Sequence, residues 1–600
     1  MAPAAQRPVS IHPTVRCLLL LLLVLIVTAG GCGGGGDDGR RLVPVLPSGA
    51  TATGDAMVVT DDPLASEAAA AVLAAGGNAV DATIAASLAL AVVRPEAGNL
   101  GGGGFMLVCM ADAAPVMIDC RESAPAAATR DMFLDAAGEP DPERSRASGL
   151  AVGVPGTVAG LALAHDRFGS RPWPTLIEPA IELAAGGFPV GERLAALLAD
   201  STLAARLGRS DASARLFLRG GEHPYTAGER LVQPELAATL RRIASHGAPG
   251  FYTGPVATAL ADEVAAWGGR ITVDDLAAYR AVERQPVIGQ HAGYEVVSAS
   301  PPAAGGIVLL LELGMVAALE TRRMASGDLE PATSPHFLAE IMRRAYALRS
   351  SLIGDPDQVE VPQAALTDPA LARALAADID PLRATPSSAL EISRAHAATA
   401  GGEGTETTHL VVIDANGNAV SSTTSLNAYF GTGILVTGHG FLLNNTMDDF
   451  ATKPGAPNLY GLVQGEQNAV APGKRPLSSM TPTVLRRDGR SVMALGSPGG
   501  SRITHAVLQV LLNQLELGLG PEAAVRRPRI HHQFLPDTLF FEEGAVDTPA
   551  RARLEAAGHT LVEAPWAIGQ VHLAVRRADG RWDGVADPRR GGTALGLDRR

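Results

Sequence analysis

Thr407 opens a run of strand character, Thr407-Thr408-His409-Leu410-Val411-Val412-Ile413, directly behind the polar, glycine-rich stretch 400–406. The turn Asp414-Ala415-Asn416-Gly417-Asn418 leads into a second β-rich run from Ala419. A hairpin symmetric about Asn416 sets Ile413 opposite Ala419 and Thr407 opposite Ser425. Opposed residues place their side chains on one face about 5 Å apart. Asn427, two residues on, shares that face. A paired hydroxyl suits nucleophilic chemistry, because a threonine attacks only when something accepts its proton. The same spacing also describes an ordinary threonine–serine pair on a sheet, and a one-residue slip would undo it. The surroundings must decide.

Other chemistries find little support. The glycine run Gly101–Gly104 lacks a following Lys-Ser or Lys-Thr and feeds a strand, so it is no phosphate loop. His531 and His532 are adjacent, and neighbours on a strand point to opposite faces. With no His-Glu-x-x-His and no Cys/His cluster, neither a metal nor a cofactor is expected. A Gly-x-Ser-x-Gly elbow is also missing, which disfavours an α/β-hydrolase serine. The chain of 600 residues carries 62 acidic and 49 basic side chains, net −13, without a basic stretch. That excludes nucleic acid as an expected partner, since phosphate neutralisation needs clustered Lys and Arg. Charged residues are 18% and apolar ones 46%, enough for a large core and too little charge for disorder.

The elements that must position this chemistry begin after an export segment. Residues Cys17–Thr28 form an apolar run behind Arg7 and Arg16, shorter than the ~20 residues a membrane span needs. The run ends in Ala29-Gly30-Gly31-Cys32, which resembles a bacterial lipoprotein signal with Cys32 as the lipidated residue. Ala29 stands where leucine is usual; plain cleavage nearby and an uncleaved anchor are the alternatives. Residues 1–31 are thus expected to be a signal and 32–54 a flexible tether, placing the protein in the periplasm or cell envelope. Pro63–Ala75 reads as a helix ended by Gly76-Gly77, and Asn78 caps a second helix over 79–93 that Pro95 stops. A glycine cluster then feeds a hairpin through Cys109 and Cys120. A turn centred on Ala113 sets Cys109 against Met117, leaving two buried thiols rather than a disulfide. Residues 155–400 read as mostly helical. Strands return from 407, including the segments 433–445, 481–487 and 491–497, before a helix from Ile503. Helices outside and strands inside predict one α+β body.

Several long segments, in order, closely resemble γ-glutamyltranspeptidases: Thr407–Asn427, Gly440–Phe450, Pro472–Thr483, Gly496–Ile503 and Pro528–Asp537, preceded by matching segments at 77–90, 101–108, 118–125 and 154–173. The resemblance spans roughly residues 55 to 595. It implies a four-layer αββα N-terminal nucleophile hydrolase sandwich, made by a precursor that cuts itself at Glu406–Thr407. Residues 55–406 become a large subunit and 407–600 a small one, held as a heterodimer. Cleavage makes chemical sense: it frees an α-amine of pKa ~7.7–8.0, a base next to the Thr407 hydroxyl.

The resemblance also implies roles. Ser425 hydrogen-bonds the Thr407 hydroxyl, at a position where threonine is commoner. Gly499 and Gly500 form the oxyanion donors. Arg121, Ser478 and Ser479 take the substrate α-carboxylate, while Asp449 and Asn427 take its ammonium. Tyr460 lies in a lid, Ala451–Lys474. Thr446 departs from the family, which commonly has Glu or Gln there, so ammonium recognition is expected to loosen. The expected activity is a self-processing γ-glutamyltransferase and glutathione hydrolase, passing the acyl group to water or to an amino acid or dipeptide acceptor. The alternatives are an acylase of the same fold for glutaryl-β-lactams or poly-γ-glutamate, and a non-catalytic envelope lipoprotein.

Overall fold

The computed structural model describes residues 42–44, 49–390 and 405–599, with residues 43, 44, 405 and 406 described by backbone alone. The expectations for the export signal and for Cys32 lie outside these residues.

The central hairpin forms for local reasons. Strand Thr405–Ile413 is rich in β-branched residues. At its end Asp414 Oδ1 accepts from the backbone N–H groups of Asn416 (2.9 Å) and Asn418 (3.1 Å), a side-chain-built turn. Gly417 takes φ 87° within it. The return strand Ala419–Ala428 pairs in the expected register, Ile413 opposite Ala419 and Thr407 opposite Ser425. The ladder breaks once, between Glu406 and Thr407: Glu406 faces Asn427, and Leu426 is left between the two pairs as a bulge.

Two antiparallel sheets surround this hairpin. The first has eight strands, in the order Leu42–Pro44, Thr593–Arg599, Ala56–Thr60, Thr405–Ile413, Ala419–Ala428, Gly103–Cys109, Val116–Asp119 and Val282–Arg284. The second has seven: Val287–His291, Tyr294–Ser298, Thr483–Arg487, Arg490–Gly496, His572–Arg576, Trp582–Val585 and Thr51–Gly54. Both sheets mix strands from before and after residue 406, so ladder hydrogen bonds join the two halves of the chain.

Alternation along the hairpin sorts its side chains into layers. Val411, Ile413 and Ala419 pack with Val484, Ala494 and Ala574 of the second sheet, forming the core between the sheets. Leu410, Val412 and Val420 face the other way, onto helices Pro63–Ala74, Ala79–Val93 and Thr157–Phe168. The outer face of the second sheet is covered by Gly305–Ser326, Pro335–Leu352 and Ile503–Leu515. This is the α+β arrangement of two sheets between helix layers. The inward row turns polar toward the start of the strand, through His409 and Thr423, which are hydrogen-bonded at 2.8 Å, to Thr407 and Ser425. Gly496 on the facing sheet admits the His409 ring; a Cβ there would lie 2.2 Å from it.

Four expectations need correction. The tether over 32–54 fails for Leu42–Pro44 and Thr51–Gly54, which pair with the last strand and with Trp582–Val585. Residues 433–445 are not a strand, because Gly438 (φ 77°) and Gly440 (φ 72°) turn the run back on itself, leaving one bridge, Leu435 to Leu442. The strands at 282–298 were hidden in a stretch read as helical. Leu107, not Cys109, faces Met117, since the turn closes one residue earlier than Ala113. Cys109 and Cys120 are nevertheless free and buried, and burial pushes both thiols up to about 12.

Candidate active site

The sheet edge at Thr407 opens into a small polar pocket enclosing about 370 Å³, lined among others by Arg121, Thr407, Ser425, Asn427, Asp449, Tyr460, Ser478, Ser479 and Gly500. Residues scattered over nearly four hundred positions thus meet in one place.

The Thr407 hydroxyl donates to Ser425 Oγ at 3.3 Å, and the same oxygen accepts from the Asn427 N–H at 2.8 Å. Ser425 therefore ties the nucleophile candidate to the pocket wall. Beyond the bulge Asn427 adopts φ 81°, a left-handed conformation that asparagine tolerates better than most residues. That turn, rather than simple alternation, brings its side chain to the pocket. Asn427 Nδ2 donates to the Asn445 carbonyl at 3.0 Å, and the Tyr460 hydroxyl donates to both Asn427 oxygens. Tyr460 thereby latches the loop Ala451–Lys474 over the pocket. Its carbonyl accepts from Gln533 Nε2 at 2.9 Å, and burial holds its phenol well above the ordinary range.

Arg121 follows strand Val116–Asp119. Asp119 caps its N–H at 2.9 Å and is itself held by Arg284 at 2.7 Å and Arg475 at 2.6 Å. The buried Arg121 guanidinium forms an ion pair with Asp449 and lies 3.3 Å from Glu122. Burial pushes the Glu122 carboxyl up to about 7 and raises Asp449 against the pull of Arg121. A cation and an anion thus stand in direct contact in the pocket. Ser478 and Ser479 come from a loop fixed to the Pro301–Ala304 turn, where Ser478 N–H donates to Pro302 at 2.9 Å and Ala304 N–H to Ser478 at 2.8 Å.

Gly500 lines the pocket with φ 59°, and a Cβ there would lie 2.4 Å from the Tyr460 ring, so close approach as well as torsion demands glycine. Gly499, at φ 134°, stands one residue behind the lining. Asp448 serves structure: it accepts from Ser145 at 2.7 Å and from the Leu459 N–H at 2.8 Å.

Thr446 is not brought into the pocket lining. It is buried and donates to Asn444 Oδ1 at 2.5 Å, an oxygen that also takes the N–H groups of Gly153 and Thr446 itself. Its hydroxyl is engaged by its own turn and by the neighbouring Glu122 carboxyl. The sequence reading did not single out the polar lining residues Arg349, Asn458, Gln464 and Ser501, nor the apolar Leu462, Leu477, Met480 and Ile503. Arg349 sits among other arginines of a helix, a pattern that reads as a solvated face. His531 and His532 do diverge, toward His505 at 2.7 Å and Asp537 at 3.2 Å respectively.

A family model described as Gamma-glutamyltranspeptidase matches residues 65–597. The chain belongs to the γ-glutamyltranspeptidase family. Within it, a glutathione hydrolase proenzyme of Escherichia coli (strain K12) is 46% identical over 515 residues, covering 86% of this chain and 87% of that protein. An acylase ACY 1 proenzyme of Pseudomonas sp. (strain SE83) is 36% identical over 550 residues, 90% of this chain and 93% of that one. Among solved structures, a cephalosporin acylase from Bacillus halodurans superposes with a TM-score of 0.76 at 24% identity, over 95% of this chain and 99% of that chain, a likeness of fold. Every residue lining the pocket therefore lies within the γ-glutamyltranspeptidase match, as do all strands of the two sheets from Gly103 to Val585.

Proposed function

We infer that this chain is a self-processing γ-glutamyltransferase and glutathione hydrolase. The observation that carries the reading is the shared pocket: a hydrogen-bonded Thr407–Ser425 pair beside the Arg121–Asp449 ion pair. A γ-glutamyl group carries an α-carboxylate and an α-ammonium at one end and its scissile amide at the other. Its two charges replace the internal ion pair, carboxylate on Arg121 and ammonium on Asp449, and bring the amide to Thr407.

Processing comes first. The Thr407 hydroxyl attacks the Glu406 carbonyl, the C–N bond breaks to free the Thr407 amine and an ester forms; water then hydrolyses the ester, releasing Glu406 as a carboxylate and restoring the Thr407 hydroxyl. The bulge at that peptide bond takes it out of the regular ladder. In turnover the amine accepts the hydroxyl proton as Thr407 attacks the γ-carbonyl. Backbone N–H groups at Gly499–Gly500 stabilise the oxyanion, where removal of one such donor typically costs ~2.7–4 kcal/mol. The leaving amine takes the proton, and the acyl-enzyme passes to water, giving glutamate, or to the amine of an amino acid or dipeptide. The latched loop excludes water and favours transfer.

The N-terminal segment supports export to the periplasm or envelope, with Cys32 as the lipid site. Cys32→Ser should release the protein from the membrane fraction, and retention would refute lipid anchoring.

The function is tested with glutathione, a glutaryl amide and poly-γ-glutamate as donors. Preference for glutathione is expected. Turnover of the glutaryl amide at an equal or higher rate would favour the acylase reading, which the Pseudomonas relative and the lost Glu/Gln contact at Thr446 support.

A further inference from the structure

Helix Pro335–Leu352 brings to the pocket a buried cation that the mechanism above does not use. Arg349 is 2% exposed and lines the same cavity as Arg121. Its Nη2 donates to the Ser479 hydroxyl at 3.0 Å. Its guanidinium also lies over the Tyr346 ring, 5.5 Å from the centroid. Tyr346, three residues earlier on the same helix face, donates to the Ser501 carbonyl next to Gly500. One helix face therefore supports both loops that flank the pocket.

Arg349 Nε and Nη1 are buried without a hydrogen-bond partner among the described residues. A desolvated guanidinium with unfilled donors is costly, and such exceptions call for an explanation. Arg121, by contrast, is already satisfied by Asp449, Glu122 and the Pro476 carbonyl. Ser479 adds a directional argument. A hydroxyl has one proton, and Ser479 Oγ accepts from Arg349, so that proton can turn from the neighbouring Tyr346 oxygen to an incoming acceptor.

We propose that Arg349 is a second carboxylate-recognition residue, a specificity determinant that orients Ser479 and joins its charge to that of Arg121 when a donor carboxylate enters. It selects donors bearing an α-carboxylate, and so rests on the γ-glutamyl reading. The charge inventory fits: the pocket holds two guanidinium groups, with Asp449 freed for the ammonium once the substrate carboxylate takes its place.

The test compares three anilides: γ-glutamyl, glutaryl (no amine) and 4-aminobutanoyl (no carboxylate). In Arg349→Met, KM for the γ-glutamyl and glutaryl anilides should rise roughly ten- to a hundredfold, the scale of a lost bond to a charged group, with kcat changed less than threefold. The 4-aminobutanoyl anilide should change less than threefold in kcat/KM. Arg349→Lys, which keeps charge but loses the planar fork, should recover part of the loss. Ser479→Ala should cost at least fivefold in wild type and less than twofold in Arg349→Met, because the two act together. Conversion to two fragments reports folding without using a substrate carboxylate. Should Arg349→Met not mature, Arg349→Lys and Ser479→Ala carry the same three-donor comparison. Equal losses on all three donors, or a fall in kcat alone, would overturn the assignment. Wild-type protein that does not prefer the γ-glutamyl donor overturns the functional reading and this assignment with it. A wild-type preference for the γ-glutamyl over the 4-aminobutanoyl anilide that survives undiminished in Arg349→Met overturns the assignment alone.

Discussion

Replacing Ser425 by alanine removes one oxygen that serves two buried groups. The Thr407 hydroxyl loses its acceptor at 3.3 Å, and the Asn427 N–H loses its partner at 2.8 Å. The first loss frees the nucleophile to rotate. A hydrogen bond of that kind is worth ~0.5–1.5 kcal/mol net, which makes kcat fall roughly three- to tenfold. The second loss leaves a buried backbone donor unsatisfied, at ~1–3 kcal/mol, and it falls on stability. Asn427 holds an unfavourable φ of 81°, so weakening its anchor also loosens the Tyr460 latch built on it. Two assays separate these effects: single-turnover acylation for the hydroxyl, and denaturant midpoint of the matured protein for the N–H. Ser425→Thr retains the oxygen and should restore both to within threefold of wild type. If Ser425→Ala acylates at the wild-type rate with an unchanged midpoint, the pairing of Thr407 with Ser425 does not matter and the reasoning fails.

Asp449→Asn keeps the shape but removes the anion facing the ammonium, so γ-glutamyl donors should lose roughly tenfold or more in KM while a glutaryl donor changes little; equal effects on both would contradict the role. Tyr460→Phe cuts the latch to Asn427, and the ratio of hydrolysis to transfer, read from glutamate against dipeptide product, should rise about three- to tenfold. An unchanged ratio would count against the lid. Burial raises Glu122 from an unfolded value of 4.5 to about 7, so the folded state prefers its protonated form. Its contribution to stability is complete below 4.5 and is lost as pH climbs through 7. Glu122→Gln should therefore gain on wild type, by up to ~3 kcal/mol, between pH 4.5 and 8. A constant difference across that window would refute the assignment.

The central hairpin was legible because a local turn, Asp414 to Asn418, fixes its register, and register alone dictates that Thr407 meets Ser425. The paired helices at 63–93 were legible for a like reason: Gly76, at φ 82°, turns the chain after the first and Asn78 caps the second with its own side chain. Motif resemblance located Arg121, Asp449, Ser478 and Ser479, which no short-range rule could bring together, since ladders and loops more than three hundred residues apart in sequence unite them. Thr446 shows where motif reasoning stops. Position in a motif gives the residue type, but the oxygen its hydroxyl binds, Asn444 Oδ1, depends on a turn that spacing does not specify. Arg349 was missed because an arginine on a helix looks solvated until the helix is seen to be packed on all sides. The strands at 282–298 are short and lie within helical sequence; pairing with Asp119 and Thr483, far along the chain, is what makes them strands.

Maturation tests the account most directly. The purified 61.6 kDa chain should resolve on a denaturing gel into two fragments of roughly 39 and 20 kDa once the signal is removed, scaled from residue counts. N-terminal sequencing of the smaller should read Thr-Thr-His, beginning at Thr407, and Thr407→Ala should leave the chain whole. A wild-type protein that remains a single uncut band while turning over glutathione, or a Thr407→Ala variant that is still cut before residue 407, would contradict the self-processing threonine mechanism.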